Sequence, residues 1–447
     1  MKLSKKYLVM VSLMLFSLFF GAGNLIFPPF LGQNAGSNTF FALLGFLFTA
    51  VLLPVCGVLA VARFGGLEKL SSRVGVVFAT VFTFVIYLSI GPGLGIPRAA
   101  SVPFEMAIQP YLSTYASTPL FMLLYSALFF LAASWLAMNP NKLVERFGKI
   151  LTPTLLSLIA LLFIGYLVGG NTEIGVPQEA YATEPVVVGF LEGYNTMDAI
   201  AALNFGFVIS TAINQLGVKE NKNVMKEILH AGIFAGLLLT AVYVVLALLG
   251  MRTSGLYTIE GNGAWVLRCI VKDVFGEPGA ILLASIFTLA CLTTCVGLIT
   301  SISEYFAGRF KFLSYKKYVL LIAFFSFVVC NQGLNTILSI SVPVLNIIYP
   351  IAIVLIVFGL CDPWVSKMRY AYCASVFVTG AVSVVYTLET FHITFGPLNA
   401  LLAKLPLYSS GLGWVSALLI TVLGCAVVEV VLRTKEGTEV SSESENV

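Results

Sequence analysis

Phe19-Phe20-Gly21-Ala22-Gly23-Asn24-Leu25-Ile26-Phe27-Pro28-Pro29 interrupts an apolar run that begins just after Lys6 and ends near Leu31. Two glycines and an asparagine fall near the middle of a segment long enough to cross a bilayer, which takes roughly 20 apolar residues. Lipid offers no hydrogen bonds, so a chain tolerates unwound backbone at that depth only where protein or a water-filled cavity satisfies the freed groups. A mid-span break therefore marks a candidate site. Carbonyls of Ser17, Phe19 and Phe20 would face the gap from one half-helix, and amides of Ala22 and Gly23 from the other. Such a gap offers a cation the carbonyl end of one helix dipole and a carboxylate the amide end of the next. The competing reading is a Gly-x-Gly packing surface for a neighbouring helix, with Pro28 and Pro29 as a kink or helix end.

The composition around this segment supports a membrane setting. Of 447 residues, 59% are hydrophobic and 10% charged, and the mean hydropathy is +0.97, which leaves too few charges to build a water-facing surface. The basic start, Met1 to Lys6, followed by an apolar run also resembles a secretory signal peptide, but the run resumes at Leu25 as an interrupted first span would. Apolar stretches read as twelve spans at about 7–32, 39–62, 74–96, 118–138, 147–169, 186–216, 227–250, 279–306, 318–330, 337–360, 371–390 and 411–432.

With both termini in the cytoplasm, 20 of the 25 lysines and arginines lie on the inner side, and Arg98, Arg252, Arg268, Lys272 and Lys404 lie outside. The positive-inside rule predicts that asymmetry, and one span more or fewer would scramble it. Residues 433–447 are polar and acidic and read as a disordered cytoplasmic tail. The net charge of +4 is placed by topology and gives no reason to expect nucleic acid as a partner. Seven of the eight cysteines fall in or beside apolar helices and Cys269 stands alone in a connection, so no disulfide framework is expected.

Span 6 carries the second interruption, Gly189-Phe-Leu-Glu-Gly-Tyr-Asn-Thr-Met-Asp198, before a helical pattern resumes at Ala199. Spans 1 and 6 open two possible five-span repeats, and paired interruptions at matching places point to an inverted-repeat transporter with its site at the midplane. In span 8, Ala290, Thr293 and Thr294 share one helix face and could complete an oxygen shell for a small hard cation. Threonines in such helices also back-bond to their own turn. Asp198, Glu192, Glu304, Glu389 and Glu429 are the carboxylates to weigh, with a helix N-cap as the plain alternative for Asp198. The motifs His-Glu-x-x-His, Gly-x-Ser-x-Gly and a phosphate-binding glycine loop with lysine are absent from the sequence, so no enzymatic activity is expected.

Four motifs, Phe19–Pro29, Gly91-Pro-Gly-Leu-Gly-Ile-Pro-Arg98, Gly193-Tyr-Asn-Thr-Met-Asp-Ala199 and Leu289-Ala-Cys-Leu-Thr-Thr294, resemble the branched-chain amino acid:cation symporter family, across essentially the whole chain. The resemblance implies an all-α membrane protein of about twelve helices. Its fold would be leucine-transporter-like, a 5+5 inverted repeat (about 7–169 and 186–360) plus helices 11 and 12 (371–432), forming one transporter domain over residues 1–432. The implied function is import of leucine, isoleucine and valine across a bacterial cytoplasmic membrane by cation symport. Proton-coupled transport or exchange of another amino acid, and a sensor or channel, are the alternatives.

Carried over by position, the amides of Ala22 and Gly23 hold the substrate carboxylate, Asn24 and the Phe19 carbonyl form an ion site touching it, and Tyr87, Tyr194 and Asn195 contact substrate. Ser17, Phe20, Ala290, Thr293 and Thr294 match a second sodium site. The coupling ion implied is sodium, with protons compatible; beyond lipid and the amino acid substrate, no cofactor or obligate protein partner is implied. Ile26 and Phe27 stand where sodium-coupled neurotransmitter-type relatives carry arginine, which puts the outer gate in doubt.

Overall fold

A computed structural model describes residues 3–112, 118–258 and 263–444, with side chains described as far as Leu432. The described chain is helical, and nine of its helices are long and apolar enough to cross a membrane, or ten if the bent pair Pro185–Tyr194 and Asp198–Gln215 is one span. Three features reconcile that number with the twelve expected segments. Span 1 is split into Lys5–Phe19 and Ala22–Ala35. Its second half continues with span 2 as one helical run, Ala22–Phe64. Span 9, Tyr315–Cys330, has only 16 residues. Each expected segment is helical at its place.

Pro28 and Pro29 lie inside the helix Ala22–Ala35 rather than ending it. The polar connection between spans 7 and 8 contains a helix of its own, Gly263–Phe275, which buries Val266, Leu267, Ile270 and Val271. The final helix runs as Gly413–Ser444, so the backbone of the expected tail, 433–447, is helical as far as Ser444 and its last three residues lie outside the described residues.

Two compact units divide the chain, Met1–Gly66 with Phe84–Val342 and Leu67–Thr83 with Pro343–Val447. In the second, spans 11 and 12 pack on each other. One end of that unit is tied by an Arg73–Asp362 ion pair at 2.8 Å and by the Tyr372 hydroxyl, which donates to the Phe358 carbonyl and to Asp362 at 2.9 Å each.

The first unit holds both broken spans, and its packing follows a swap between the halves. Both pieces of span 1 pack along span 7 (Asn221–Arg252), and both pieces of span 6 pack along span 2 (Thr39–Phe64). Renumbering each span by five exchanges these two pairs, as a 5+5 repeat requires. Glycines make each crossing close. A Cβ on Gly32 would strike the Ala247 carbonyl and one on Gly250 the Pro29 carbonyl, while Gly45 and Gly189 stand in the same relation to the carbonyls of Val186 and Ala42. Small residues let helix backbones approach where lipid supplies no hydrophobic drive for association.

Candidate functional site

The break in span 1 is local and sharp. Phe20 leaves the helix in an extended conformation (φ −73°, ψ 91°), and its amide still donates to the Phe16 carbonyl at 2.8 Å. Gly21 (φ −122°, ψ −154°) then starts the second half. Its conformation is open to any residue, so glycine is required here for space: a Cβ would lie 2.9 Å from Thr294 Oγ1. Gly23 is equally confined, with Arg98 Nη2 at 3.1 Å and the Asn195 carbonyl at 3.2 Å from where a Cβ would stand. Asn24 closes the break from inside, its Oδ1 accepting from the Gly21 amide at 2.9 Å.

Span 6 breaks opposite. Pro185–Tyr194 ends, Met197 takes a left-handed conformation (φ 68°), and the helix restarts at Asp198 with a 46° bend. Thr196 Oγ1 donates back to the Gly193 carbonyl at 2.8 Å. Asp198, 2% exposed, sits in the first turn of the new half-helix, where the dipole favours an anion. Its Oδ2 accepts from Asn24 Nδ2 at 2.5 Å and from the Tyr243 hydroxyl at 3.0 Å. Asn24 Nδ2 also donates to Tyr243, so one buried polar cluster ties spans 1, 6 and 7. Burying these groups without partners would cost a few kcal/mol each, and the cluster answers that cost.

Spans 3 and 8 complete the enclosure. Span 3 is broken too: Val76–Leu88 passes into a widened turn at Ser89–Gly93, Gly91 is non-helical (φ −85°, ψ −127°), and Gly95–Ala107 comes next. Widened turns of this kind recur at functional sites. The restart carries Arg98 inward. The sequence places that residue in an outer loop; in the structure it is 5% exposed, donates to the Asn195 carbonyl at 3.1 Å and stands over the Phe27 ring at 5.4 Å. On span 8, Thr294 Oγ1 donates to the Ser17 carbonyl at 3.3 Å, while Thr293 Oγ1 turns back to the Ala290 carbonyl at 2.9 Å.

These pieces surround a cavity of about 40 Å³, room for roughly three waters at 10–15 Å³ each. Backbone and polar groups of Gly21, Ala22, Gly23, Asn24, Arg98, Thr196, Asp198 and Thr294 line it, together with apolar Phe19, Ile90, Ala99, Met197, Ala201 and Leu298. Of the residues proposed from sequence, Phe19, Ala22, Gly23, Asn24 and Thr294 therefore meet in one place. Asn195 adjoins it through the carbonyl that Arg98 holds. Ser17 reaches it only through Thr294, and Ala290 and Thr293 are hydrogen-bonded to each other behind it.

Phe20 stacks between Phe16 and Tyr243 (5.1 and 6.3 Å). Tyr194 packs on Phe190 at 5.4 Å, and Tyr87 stacks on Tyr305 at 4.3 Å; neither is among the lining residues, where span 3 contributes Ile90, Gly95, Arg98 and Ala99. Arg98 and Tyr243 escaped the sequence reading. For Arg98 the signal was present, since Gly91-Pro-Gly-Leu-Gly announces a break that turns the next few residues back into the protein. Tyr243 is one hydroxyl in a long apolar helix and carries no signal of its own.

Known structures share this architecture. The chain is similar to the nucleobase-cation-symport-1 family transporter Mhp1 in a closed conformation with bromovinylhydantoin bound (TM-score 0.52, 12% identity, 94% of this chain and 91% of that one). It is also similar to MhsT in complex with L-phenylalanine (TM-score 0.53, 16% identity, 96% and 98%) and to a Na+-coupled sialic acid symporter (TM-score 0.53, 11% identity, 94% and 95%). At such identities the likeness concerns the fold alone: the protein has the leucine-transporter fold of multi-pass membrane transporters.

Sequence comparison then fixes the family. The model for branched-chain amino acid transport proteins matches residues 4–432. The chain is 42% identical to the branched-chain amino acid permease BraB of Bacillus subtilis over 91% of its length and 92% of the relative's. It is 39% identical to the permease BrnQ of the same organism over 97% and 99%. It is 41% identical to the branched-chain amino acid transport system 2 carrier protein of Pseudomonas aeruginosa over 91% and 92%. The chain belongs to the branched-chain amino acid transport protein family, whose members are transporters and not enzymes.

Proposed function

We propose that the protein imports leucine, isoleucine and valine together with sodium, from a site at the breaks in spans 1, 3 and 6. One observation carries the reading most directly: both half-helix ends of span 1 open on a single cavity, about 40 Å³ in this closed form and so needing to widen for an amino acid, whose wall combines polar groups with an apolar patch. Amides of Ala22 and Gly23 offer hydrogen bonds to a carboxylate, and Ile90, Met197, Ala201 and Leu298 offer an aliphatic side chain a matching surface. Such a surface separates substrates differing by one methylene by only about 1–3 kcal/mol, so the three amino acids compete.

Sodium is the second cargo of the proposal. Ser17, Phe20, Ala290 and Thr294 would hold one ion, with Thr293 turned back onto its own helix beside it, and Phe19 with Asn24 another next to the substrate carboxylate. The contact between Thr294 Oγ1 and the Ser17 carbonyl supports the first, because it joins spans 1 and 8 through two oxygens of the type a hard cation selects. Among the described residues no group of three or more histidines, cysteines or carboxylates is placed to bind a metal, so oxygen-only ligation of an alkali ion suits the site better than a transition metal. Coupling arises from linkage, each cargo improving the site for the other by the same factor. Both termini are assigned to the cytoplasm.

The test is leucine uptake into proteoliposomes with and without an inward sodium gradient. The expected outcome is saturable, sodium-driven accumulation that valine and isoleucine inhibit. Asn24→Ala should weaken it roughly 5- to 150-fold, because Asp198 and the Gly21 amide each lose a buried partner. Uptake driven by protons and indifferent to sodium would remove the ion assignment, and absence of uptake under either gradient would remove the transport reading of this site.

A further inference from the structure

Resting on that reading, we propose that Arg98 is a specificity residue that binds the α-carboxylate of the substrate, with Asp198 receiving the α-ammonium. A zwitterion needs two opposite charges held a few ångströms apart, and the cavity wall contains both. The guanidinium stands at the amide end of the second half of span 1, where Nη2 lies 3.1 Å from the position a Gly23 Cβ would take. A carboxylate drawn to the amides of Ala22 and Gly23 therefore arrives beside it. The arginine is held there by the Asn195 carbonyl at 3.1 Å, the Met197 sulfur at 3.4 Å and the Phe27 ring at 5.4 Å.

A guanidinium has five N–H donors in a planar fork, a geometry that matches a carboxylate arriving beside it, which would take donors in exchange for the contacts Arg98 makes in the closed site. A carboxylate has about four acceptor positions, and Asn24 and Tyr243 both approach a single oxygen, Oδ2, of Asp198. The two groups come from different elements, Arg98 from the restart of span 3 and Asp198 from the restart of span 6. Their spacing is thus set by the two breaks, while the apolar lining selects the side chain. The carrier would then demand both ends of a free α-amino acid.

The experiment measures equilibrium binding of radiolabelled leucine to the purified full-length protein in sodium buffer, with leucine, leucinamide and 4-methylpentanoate as competitors. The first analogue lacks the carboxylate charge and the second lacks the amine. In the unaltered protein neither should displace leucine at concentrations tenfold above those at which unlabelled leucine does. Arg98→Gln should lower leucine affinity about tenfold or more and reduce the preference for leucine over leucinamide by a similar factor, while Arg98→Lys, which keeps the charge, should retain more of that preference.

A merely structural role for Arg98 would lower both ligands alike and leave their ratio unchanged, which overturns the proposal. So would leucinamide competing as well as leucine in the unaltered protein, a measurement that does not depend on any variant folding. A protein that binds no leucine at all would instead overturn the proposed function, and this inference with it.

Discussion

Thr293 and Thr294 are neighbours with different duties. Thr294 crosses to span 1 through the Ser17 carbonyl, and Thr293 closes on its own helix through the carbonyls of Leu289 and Ala290. Replacing Thr294 by alanine should raise the sodium concentration for half-maximal uptake several-fold, whereas Thr293→Ala should change it by less than about twofold, since a back-bonded hydroxyl contributes little across the helix. Sodium titration of uptake by the two variants decides the matter; equal shifts would mean that both hydroxyls face the ion. At this scale much of the site was legible. Gly21, Gly23 and Asn24 stand out because a helix break and an asparagine amide at that depth are costly in lipid unless something uses them. Arg98 was misplaced because its position near the end of an apolar segment fits an outer loop equally well until the backbone reversal at Gly91 is known.

The elements depend on glycine where they cross. Gly189→Ala would drive a methyl group into the Ala42 carbonyl, and overpacking of that kind costs typically 1–3 kcal/mol. Gly308→Ala, in the same kind of helix but with nothing within 4 Å of the new carbon, provides the control. In detergent, the thermal unfolding midpoint should fall for the first and hold or rise for the second. A midpoint for Gly189→Ala equal to the control would show that the crossing relaxes freely. The span boundaries were readable because hydropathy reports length directly, and the break in span 6 because Gly-Tyr-Asn-Thr-Met-Asp is a poor helix interior. The pairing of spans 1 with 7 and 6 with 2 was not readable. The two halves share no residue-level identity, and the glycines that mark the crossings look the same in sequence as glycines that touch nothing.

For the whole molecule, the distribution of basic residues makes a prediction about sidedness. In protein whose eight native cysteines are replaced by serine, single cysteines placed at exposed Lys222 and Glu277 should react differently in intact cells. A membrane-impermeant thiol reagent should label Glu277→Cys and spare Lys222→Cys until the membrane is opened. The reverse pattern would invert the topology and with it the direction in which the cavity must open to admit substrate.

The exchange of partners between halves also bears on how the chain is made. When a ribosome has delivered the first five spans, the faces of Gly32 and Gly45 have nothing to rest on, because their partners lie at Ala247 and Val186. A nascent chain at that stage holds an open break in span 1 with no carboxylate from Asp198 and no hydroxyl from Tyr243 to close it. Assembly of the cavity thus waits for span 7 to leave the translocon, and two separately expressed halves would have to meet in the bilayer before either could hold its own first helix in place.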